Sequence, residues 1–444
     1  MYNNTFMRHP AKLLVASFLA TILIGTLLLA LPIARLKPIS WFDLFFTATS
    51  TTTVCGLYSV PIEQFTTVGH VILFFLMQIG GLGLITMTLF FISLFAHLGL
   101  STQMIAGKLL EVERMSDVKK ILFLTFILSL LIEVVGACCI FLTLREKYDT
   151  LPAIGLSIFH SVSAFCNAGI SLFPNGMIGY SNNAFFLIVT SILILCGSLG
   201  FVPWFEMMKY TGLIKAYGKK TLSLHSRIVL IFSTVIIAFG TILFWVLESN
   251  NTLVQQSYFL SFVNAFFNAT SIRSAGFLSV PFTDLHMATI FIIMIFSFIG
   301  SSSGSTGSGI KTTTFAMLLF TAKSLVKGRN QVEVMGRTIP RYLIYRATAT
   351  IFIAFSLILI TTFFLLISEP NWSFLDIMLE SVSAFANLGI SAGITTFVST
   401  FGKILLMITM LAGRLGTLTL ALAVVGTDEK KKDYTYPEGK VLLS

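Results

Sequence analysis

Four short runs in this chain end in glycine: Thr53-Val54-Cys55-Gly56, Cys166-Asn167-Ala168-Gly169, Arg273-Ser274-Ala275-Gly276 and Ala386-Asn387-Leu388-Gly389. Each follows a short apolar stretch and precedes a long apolar segment, and the glycines lie 113, 107 and 113 residues apart. The chemistry such runs offer comes from main-chain oxygen. Four loops of open backbone around one axis can replace the water of a dehydrated cation with carbonyls, as a selectivity filter does. All sixteen residues are therefore candidates for a K+ site built of backbone carbonyls, in an ion channel or a channel-like transporter.

A second stretch reads as a barrier to such a path. Gly300, Ser301, Ser302, Ser303, Gly304, Ser305, Thr306, Gly307, Ser308 and Gly309 form an unbroken Gly/Ser/Thr run inside an apolar segment. Such a run cannot hold a stable helix, and its hydroxyls can bond the backbone it frees. It resembles a Walker A loop only in passing, because Ile310 separates Gly309 from Lys311 and no soluble strand precedes it. Arg414 lies within an apolar helix, between Gly413 and Leu415, where an arginine is costly and faces a pore or a partner. It aligns with Ser302, so the two are expected to meet across the cavity, with the cation repelling K+. Lys311 is expected to tie the loop to a carboxylate, with Glu111, Glu113 and Asp117 as candidates. Arg273 is expected to turn its backbone to the ions and pack its side chain behind. His160 reads as a packed histidine. Glu133 reads either as functional or as a helix-packing hydrogen bond.

The elements that position these groups repeat. Counting back from each glycine, position −6 is Ser50, Ser163, Thr270 and Ser383, always a hydroxyl. Position −8 is Ala48, Ser161, Asn268 and Ser381, never bulky. Position −10 is Phe46, Phe159, Phe266 and Leu379, always large and apolar. Forward of each turn comes a second glycine cluster, whose last members, Gly83, Gly200, Gly304 and Gly416, follow by 27, 31, 28 and 27 residues. These clusters fit either close helix packing or a functional break. The repeated unit is a span, a half-helix, a turn and a second span. Half-helices at about 42–53, 155–166, 262–273 and 375–386 are too short to cross about 30 Å of hydrocarbon. Non-helical backbone at that depth must line a water-filled cavity, and the negative end of each half-helix dipole would then face the axis and favour a cation. The expected fold is an all-α polytopic membrane protein. It has four parallel span–pore-loop–span repeats around one pore, with eight spans and four re-entrant half-helices. Residues 1–100, 101–220, 221–328 and 329–427 hold the repeats, and 428–444 form a cytoplasmic tail.

Composition agrees. The 444-residue chain is 55% hydrophobic and 11% charged, with mean hydropathy +0.90, about half the charged fraction of a soluble protein. Apolar runs at 13–34, 121–143, 228–247 and 351–367 are of membrane-spanning length, and the first reads as a retained span. Continuous apolarity rather than alternation argues against a β-barrel. The five cysteines, Cys55, Cys138, Cys139, Cys166 and Cys196, lie in or beside apolar segments and imply neither a disulfide framework nor a metal site. The formal charge of +10 is concentrated at 97–120, 209–227 and 321–346. The positive-inside rule puts these loops in the cytoplasm and the glycine turns toward the outside. No basic segment is large enough to fold as a nucleic-acid-binding domain.

These residues resemble the Trk/Ktr/HKT superfamily of potassium transporters over essentially the whole chain, and most closely the membrane subunits of bacterial Ktr systems. The most specific matches are the run Gly300 to Thr312 and the segment Asn268-Ala-Thr-Ser-Ile-Arg273-Ser-Ala-Gly276-Phe277. The resemblance implies that the 300–309 run is the loop that interrupts the third repeat's second span and gates the pore. It also implies a homodimer with one pore per subunit, in the plasma membrane of a bacterium and in contact with its lipids. A separate cytoplasmic ring responding to ATP/ADP or NAD would regulate it. That ring's Rossmann-type fingerprint is absent from this sequence, so no cofactor is expected on the chain itself; K+ is cargo, and Na+ is a candidate stimulator. Only one glycine per turn is common to all four copies, and three lack a Thr-Val start, so K+/Na+ discrimination is expected to be weaker than with four identical strands. The expected function is inward K+ conduction by the pore-forming subunit of an uptake system. Its rival is a cation-coupled secondary transporter carrying Na+ and K+ together. Inverted repeats would mark alternating access, whereas these repeats read as parallel. No His/Asp/Cys cluster or nucleophile constellation supports an enzyme.

Overall fold

The structure, a computed structural model, describes residues 10–83, 118–212 and 221–425. Among these residues the helices are α1 (Pro10–Leu29), α2 (Trp41–Thr53), α3 (Thr67–Leu82), α4 (Val118–Leu144), α5 (Thr150–Cys166), α6 (Ala184–Ser198), α7 (Phe201–Tyr210) and α8 (Leu224–Glu248). They continue with α9 (Tyr258–Ser271), α10 (Met287–Phe298), α11 (Thr312–Val326), α12 (Arg341–Ser368), α13 (Phe374–Ala386), α14 (Thr400–Leu415) and α15 (Thr417–Val425). A two-residue hairpin, β1 (Glu333–Val334) with β2 (Arg337–Thr338), joins α11 to α12.

The short helices start where hydroxyls can cap them. Ser40, Ser257 and Ser373 accept a bond from the backbone N–H three residues on, at the heads of α2, α9 and α13. In α2 and α13 the caps also donate to Asp43 and Asp376, both at 2.7 Å. A carboxylate in the first turn complements the positive end of the helix dipole. The four helices lie close to the expected segments. However, α5 begins five residues earlier than the sequence suggests, and α9 ends two residues earlier.

Packing closes these elements into a ring. The second helix of each unit packs on the short helix of the next: α3 on α5, α6 on α9, α10 on α13, and α14 back on α2. An ion pair of 2.8 Å between Lys403 and Asp43 pins the last of these contacts. Partial burial works against the charge on Asp43, but the bonds from Lys403 and Ser40 outweigh it and hold that carboxyl below its usual range.

Burial differs from that of a water-soluble protein in its apolar outer coat and in the hydroxyls buried on the short helices. The short helix α2 buries Thr47, Thr49, Ser50, Thr51, Thr52 and Thr53, while Leu131, Val246 and Phe352 stand 60%, 64% and 71% exposed on the long helices. An exposed apolar coat, with polar residues kept inside beside the apolar core, is what lipid contact selects. Among the described residues, Leu122–Leu144, Leu224–Glu248 and Arg341–Ser368 are long and apolar enough to cross a membrane.

The second helix of each unit ends at a glycine or a Gly/Ser run, and in the second, third and fourth units a further helix follows. The chain breaks at Gly83 (φ 84°), Gly200 (φ 91°) and Gly416 (φ 86°), and it leaves helix altogether between Phe298 and Thr312. At Gly200 the two halves bend by 98°. The first glycine of three clusters serves close packing instead. A Cβ on Gly80, Gly197 or Gly413 would run into the carbonyl of Thr52, Phe165 or Phe385, near the end of a short helix. Each cluster thus does two jobs, close approach at its start and a break at its end.

Candidate functional site

The four glycine turns meet. Gly56, Gly169, Gly276 and Gly389 have φ of 88°, 67°, 75° and 81°, the region that favours glycine. A Cβ on Gly56 would strike the carbonyl of Ala168, one on Gly169 that of Ala275, one on Gly276 that of Leu388, and one on Gly389 that of Cys55. The residue before each glycine therefore lays its carbonyl against the glycine of the neighbouring turn, and the sequence of contacts closes on itself. The surroundings are dry: Thr53, Cys55, Cys166, Asn167, Ala168, Arg273, Ser274, Ala275, Ala386, Asn387 and Leu388 are all buried.

Three turns leave their helix in one way. Val54, Asn167 and Asn387 adopt left-handed φ of 60°, 59° and 50°. The next N–H then reaches back to the carbonyl at position −6, as Cys55 to Ser50 (2.7 Å), Ala168 to Ser163 (2.8 Å) and Leu388 to Ser383 (2.9 Å). A β-branched residue such as Val54 is rarely left-handed, and such strain collects where a site over-determines the backbone. The third turn differs: Ile272 stays right-handed, and the N–H groups of Ala275 and Gly276 both reach Ser271. Arg273 is buried there, its Nε donating to Gly300 O (3.1 Å) and its Nη2 to Ser233 Oγ (3.2 Å). Its side chain does pack behind the turn, tying it to the start of the Gly/Ser run.

That run is tied to the second unit by a net of hydrogen bonds. The N–H groups of Ser302 and Thr306 donate to Ser198 O and Gly197 O, both at 3.1 Å, and Phe201 N donates to Gly304 O at 2.9 Å. Thr306 Oγ1 donates to Phe165 O (2.9 Å) and accepts from Asn167 Nδ2 (2.7 Å), while Asn167 Oδ1 accepts from Ser274 Oγ (2.8 Å). One polar chain thus links the second turn, the third turn and the run. Around Thr306, Ser301, Ser302, Gly307 and Ser308 are buried, whereas Ser303, Gly304, Ser305 and Gly309 are more open. Gly300 lies against Ser308 and Gly309, the closed neck of the excursion.

Arg414 does not meet Ser302 as alignment suggests. Its guanidinium donates to Thr306 O, Gly80 O and Gly81 O, and lies 3.4 Å from Ser308 Oγ. Ser302 faces the other way, 3.1 Å from Thr312 Oγ1. The reason is partnership: from the last turn of α14 the guanidinium finds the main-chain carbonyls of Thr306 and of Gly80 and Gly81 in α3, while the Ser302 hydroxyl is taken by Thr312. Lys311 Nζ donates to Gly307 O at 2.9 Å; Glu111, Glu113 and Asp117 lie outside the described residues.

His160 packs among Phe173, Phe186 and Phe277, with centroids 5.2, 5.3 and 5.2 Å away, and its Nε2 is 3.3 Å from Thr190 Oγ1. Glu133 receives both bonds from Gln78 Nε2, each at 3.0 Å, which fits helix packing. Two buried carboxylates escape a reading by motif. Glu248 accepts from Asn251, Thr252, His286 N and Thr289, joining the end of α8 to the head of α10. Glu380 lies fully buried on α13. The signal that finds both is an ionisable residue inside an apolar segment.

Comparison with known proteins gives one consistent answer. A family model described as a cation transport protein, TrkH, matches residues 3–432. The chain is 33% identical to the Ktr system potassium uptake protein B of Bacillus subtilis, over 97% of this chain and 96% of that protein. It is 31% identical to the potassium/sodium uptake protein NtpJ of Enterococcus hirae, over 98% and 97%. The fold resembles the crystal structure of the potassium transporter TrkH from Vibrio parahaemolyticus, with a TM-score of 0.70 at 22% identity, covering 93% of this chain and 84% of that one. The match of a family model over nearly the full length, together with relatives above 30% identity end to end, means that this helical membrane chain belongs to the TrkH family of cation transport proteins.

Proposed function

We propose that the chain is the pore-forming subunit of a potassium uptake system. In this reading it has four parallel span–half-helix–span repeats around one pore, and the four turns form its K+ filter. The observation that carries it is the closed sequence of contacts in which Cys55, Ala168, Ala275 and Leu388 present carbonyls to the glycines of adjacent turns. Carbonyl rings of this kind replace hydration water and let a monovalent cation pass. The short helices aim their C-termini at the ring, so their dipoles add to the attraction. The names of the relatives, potassium uptake and potassium/sodium uptake, agree with this cargo.

The 300–309 run, with Lys311 and Arg414, is the gate. It crosses the path beneath the filter, and the Arg414 cation beside it repels K+. Proteoliposomes holding the purified chain should take up K+ and Rb+ down a gradient and Na+ more slowly. Uptake of K+ only when a Na+ gradient is imposed would favour the second reading, Na+/K+ symport, which the potassium/sodium name of one relative supports.

The gate is set by a partner. Three relatives are named as components of a Ktr system, and the short basic loops of this chain suit an acidic or nucleotide-bearing surface. Arg337 on β2 and Arg341 at the head of α12 are both exposed. The purified chain is expected to run as a homodimer and to bind no ATP or NAD, while a separate cytoplasmic ring confers nucleotide-dependent flux. Reversing Arg337 and Arg341 to glutamate should loosen that association and steepen its salt dependence. Micromolar ATP binding by the isolated chain, lost on mutation of Lys311, would overturn this assignment. The turns face outward and the basic loops inward in a bacterial plasma membrane.

A further inference from the structure

Three of the four turns are held on their outgoing sides by different polar ties. In the second, Ser163 Oγ donates to Ile170 O (2.7 Å) and accepts from Ile170 N (3.0 Å). In the third, Asn268 bonds Ser279 through both ends of its amide, at 2.8 and 3.1 Å. In the fourth the tie is Glu380. Its Oε1 accepts from Ser391 Oγ (3.1 Å) and from Thr395 Oγ1. Thr395 Oγ1 lies 3.0 Å from Ser391 Oγ, and Ser391 Oγ accepts from Gly393 N (2.9 Å). Every group in this cluster fixes the strand that leaves Gly389.

Packing does not call for a carboxylate there. Glu380 is nine residues before its glycine; the aligned residues are Thr47, His160 and Phe267, and Phe267 is as fully buried as Glu380. An apolar side chain therefore suits the position. Glu380 also leaves Oε2 buried with no hydrogen-bond partner. An unsatisfied buried polar atom is destabilising, so the residue is held in place against its own stability cost. Its one contact of consequence is to the strand continuing from Leu388 and Gly389, the pair that touches both neighbouring turns in the ring.

We propose that Glu380 is a specificity-determining positioning residue. By accepting from Thr395 and Ser391 it fixes where the fourth turn holds the Leu388 carbonyl, and so sets K+ against Na+. This rests on the filter reading of the four turns. The third tie uses a side-chain amide for the same job, so the role belongs to the acceptor oxygen and not to the charge.

The test is the K+/Na+ uptake ratio in proteoliposomes of the full chain, for Glu380→Ala, Glu380→Gln, Thr395→Val and, as a filter control, Gly389→Ser. Glu380→Ala and Thr395→Val should each lower the ratio about fivefold, the scale of one hydrogen bond's control of geometry. Glu380→Gln keeps an acceptor and should restore the ratio to within about twofold. Thr395→Val is nearly isosteric, so it decides the matter if Glu380→Ala fails to fold. An unchanged ratio in Thr395→Val, beside a fall in Gly389→Ser, overturns the role of Glu380 and leaves the filter intact. An unchanged ratio in Gly389→Ser as well overturns the role of Glu380 together with the fourth turn's place in the filter. A Gln variant as impaired as the Ala variant overturns the acceptor role.

Discussion

Replacing Gly276 with serine is expected to lower the K+/Na+ uptake ratio by more than about tenfold, the equivalent of 1.4 kcal/mol. Two effects add. Gly276 has φ 75°, and a residue with a Cβ pays about 1–2 kcal/mol to stay left-handed. The new Cβ would also run into the Leu388 carbonyl, the tightest of the four approaches. Relief requires moving either the third turn or the fourth, and both supply carbonyls to the ring. The same substitution at Gly56, Gly169 and Gly389 should act in the same direction. Parallel uptake of K+, Rb+ and Na+ into proteoliposomes checks it. Unchanged ratios in all four variants would end the filter assignment, whatever became of total flux.

Arg414→Ala is expected to raise basal K+ flux, without any added soluble protein, by about tenfold or more. Hydrogen bonds from a charged group are worth about 1.5–3 kcal/mol each, and even one such bond shifts a two-state equilibrium by about tenfold. Arg414 makes three such bonds to main-chain carbonyls, joining the Thr306 segment to Gly80 and Gly81. Their loss removes both a clasp and a positive charge from beside the Thr306 segment. Arg414→Lys separates the two, since lysine keeps the charge but not the planar fork. A closed Lys variant would assign the barrier to charge; a leaky one would assign it to the clasp. Shortening 300–309 by several residues should also raise flux and weaken regulation. Flux that falls or stays level in both the Arg414 and the loop variants would make this a structural tie rather than a gate.

The amino-acid sequence by itself determined the unit and its recurrence. Hydroxyls at Ser50, Ser163, Thr270 and Ser383, large apolar residues four positions before them, and a glycine six after are local patterns, legible because half-helix, turn and span each follow from neighbours in the chain. The apolar runs and basic loops likewise reported a membrane protein without any knowledge of contacts. The Gly/Ser content of 300–309 was enough to exclude a helix.

Only the tertiary structure decided which groups meet. Arg414 finds partners 108 and 334 residues away, and alignment of repeats pointed to Ser302 because it carries register but not side-chain partnership. The tie from Asn167 to Thr306 and Ser274, and the brace from Glu380 to Thr395, depend on one unit packing against another or on a strand folding back over its own helix. The third turn departs from its three relatives in backbone as well as sequence, with Ile272 right-handed where Val54, Asn167 and Asn387 follow the left-handed path. The closing of four turns into one ring was the largest of these decisions. Each glycine is permissive alone, and only the carbonyl of the next turn, pressed where its side chain would be, makes it indispensable.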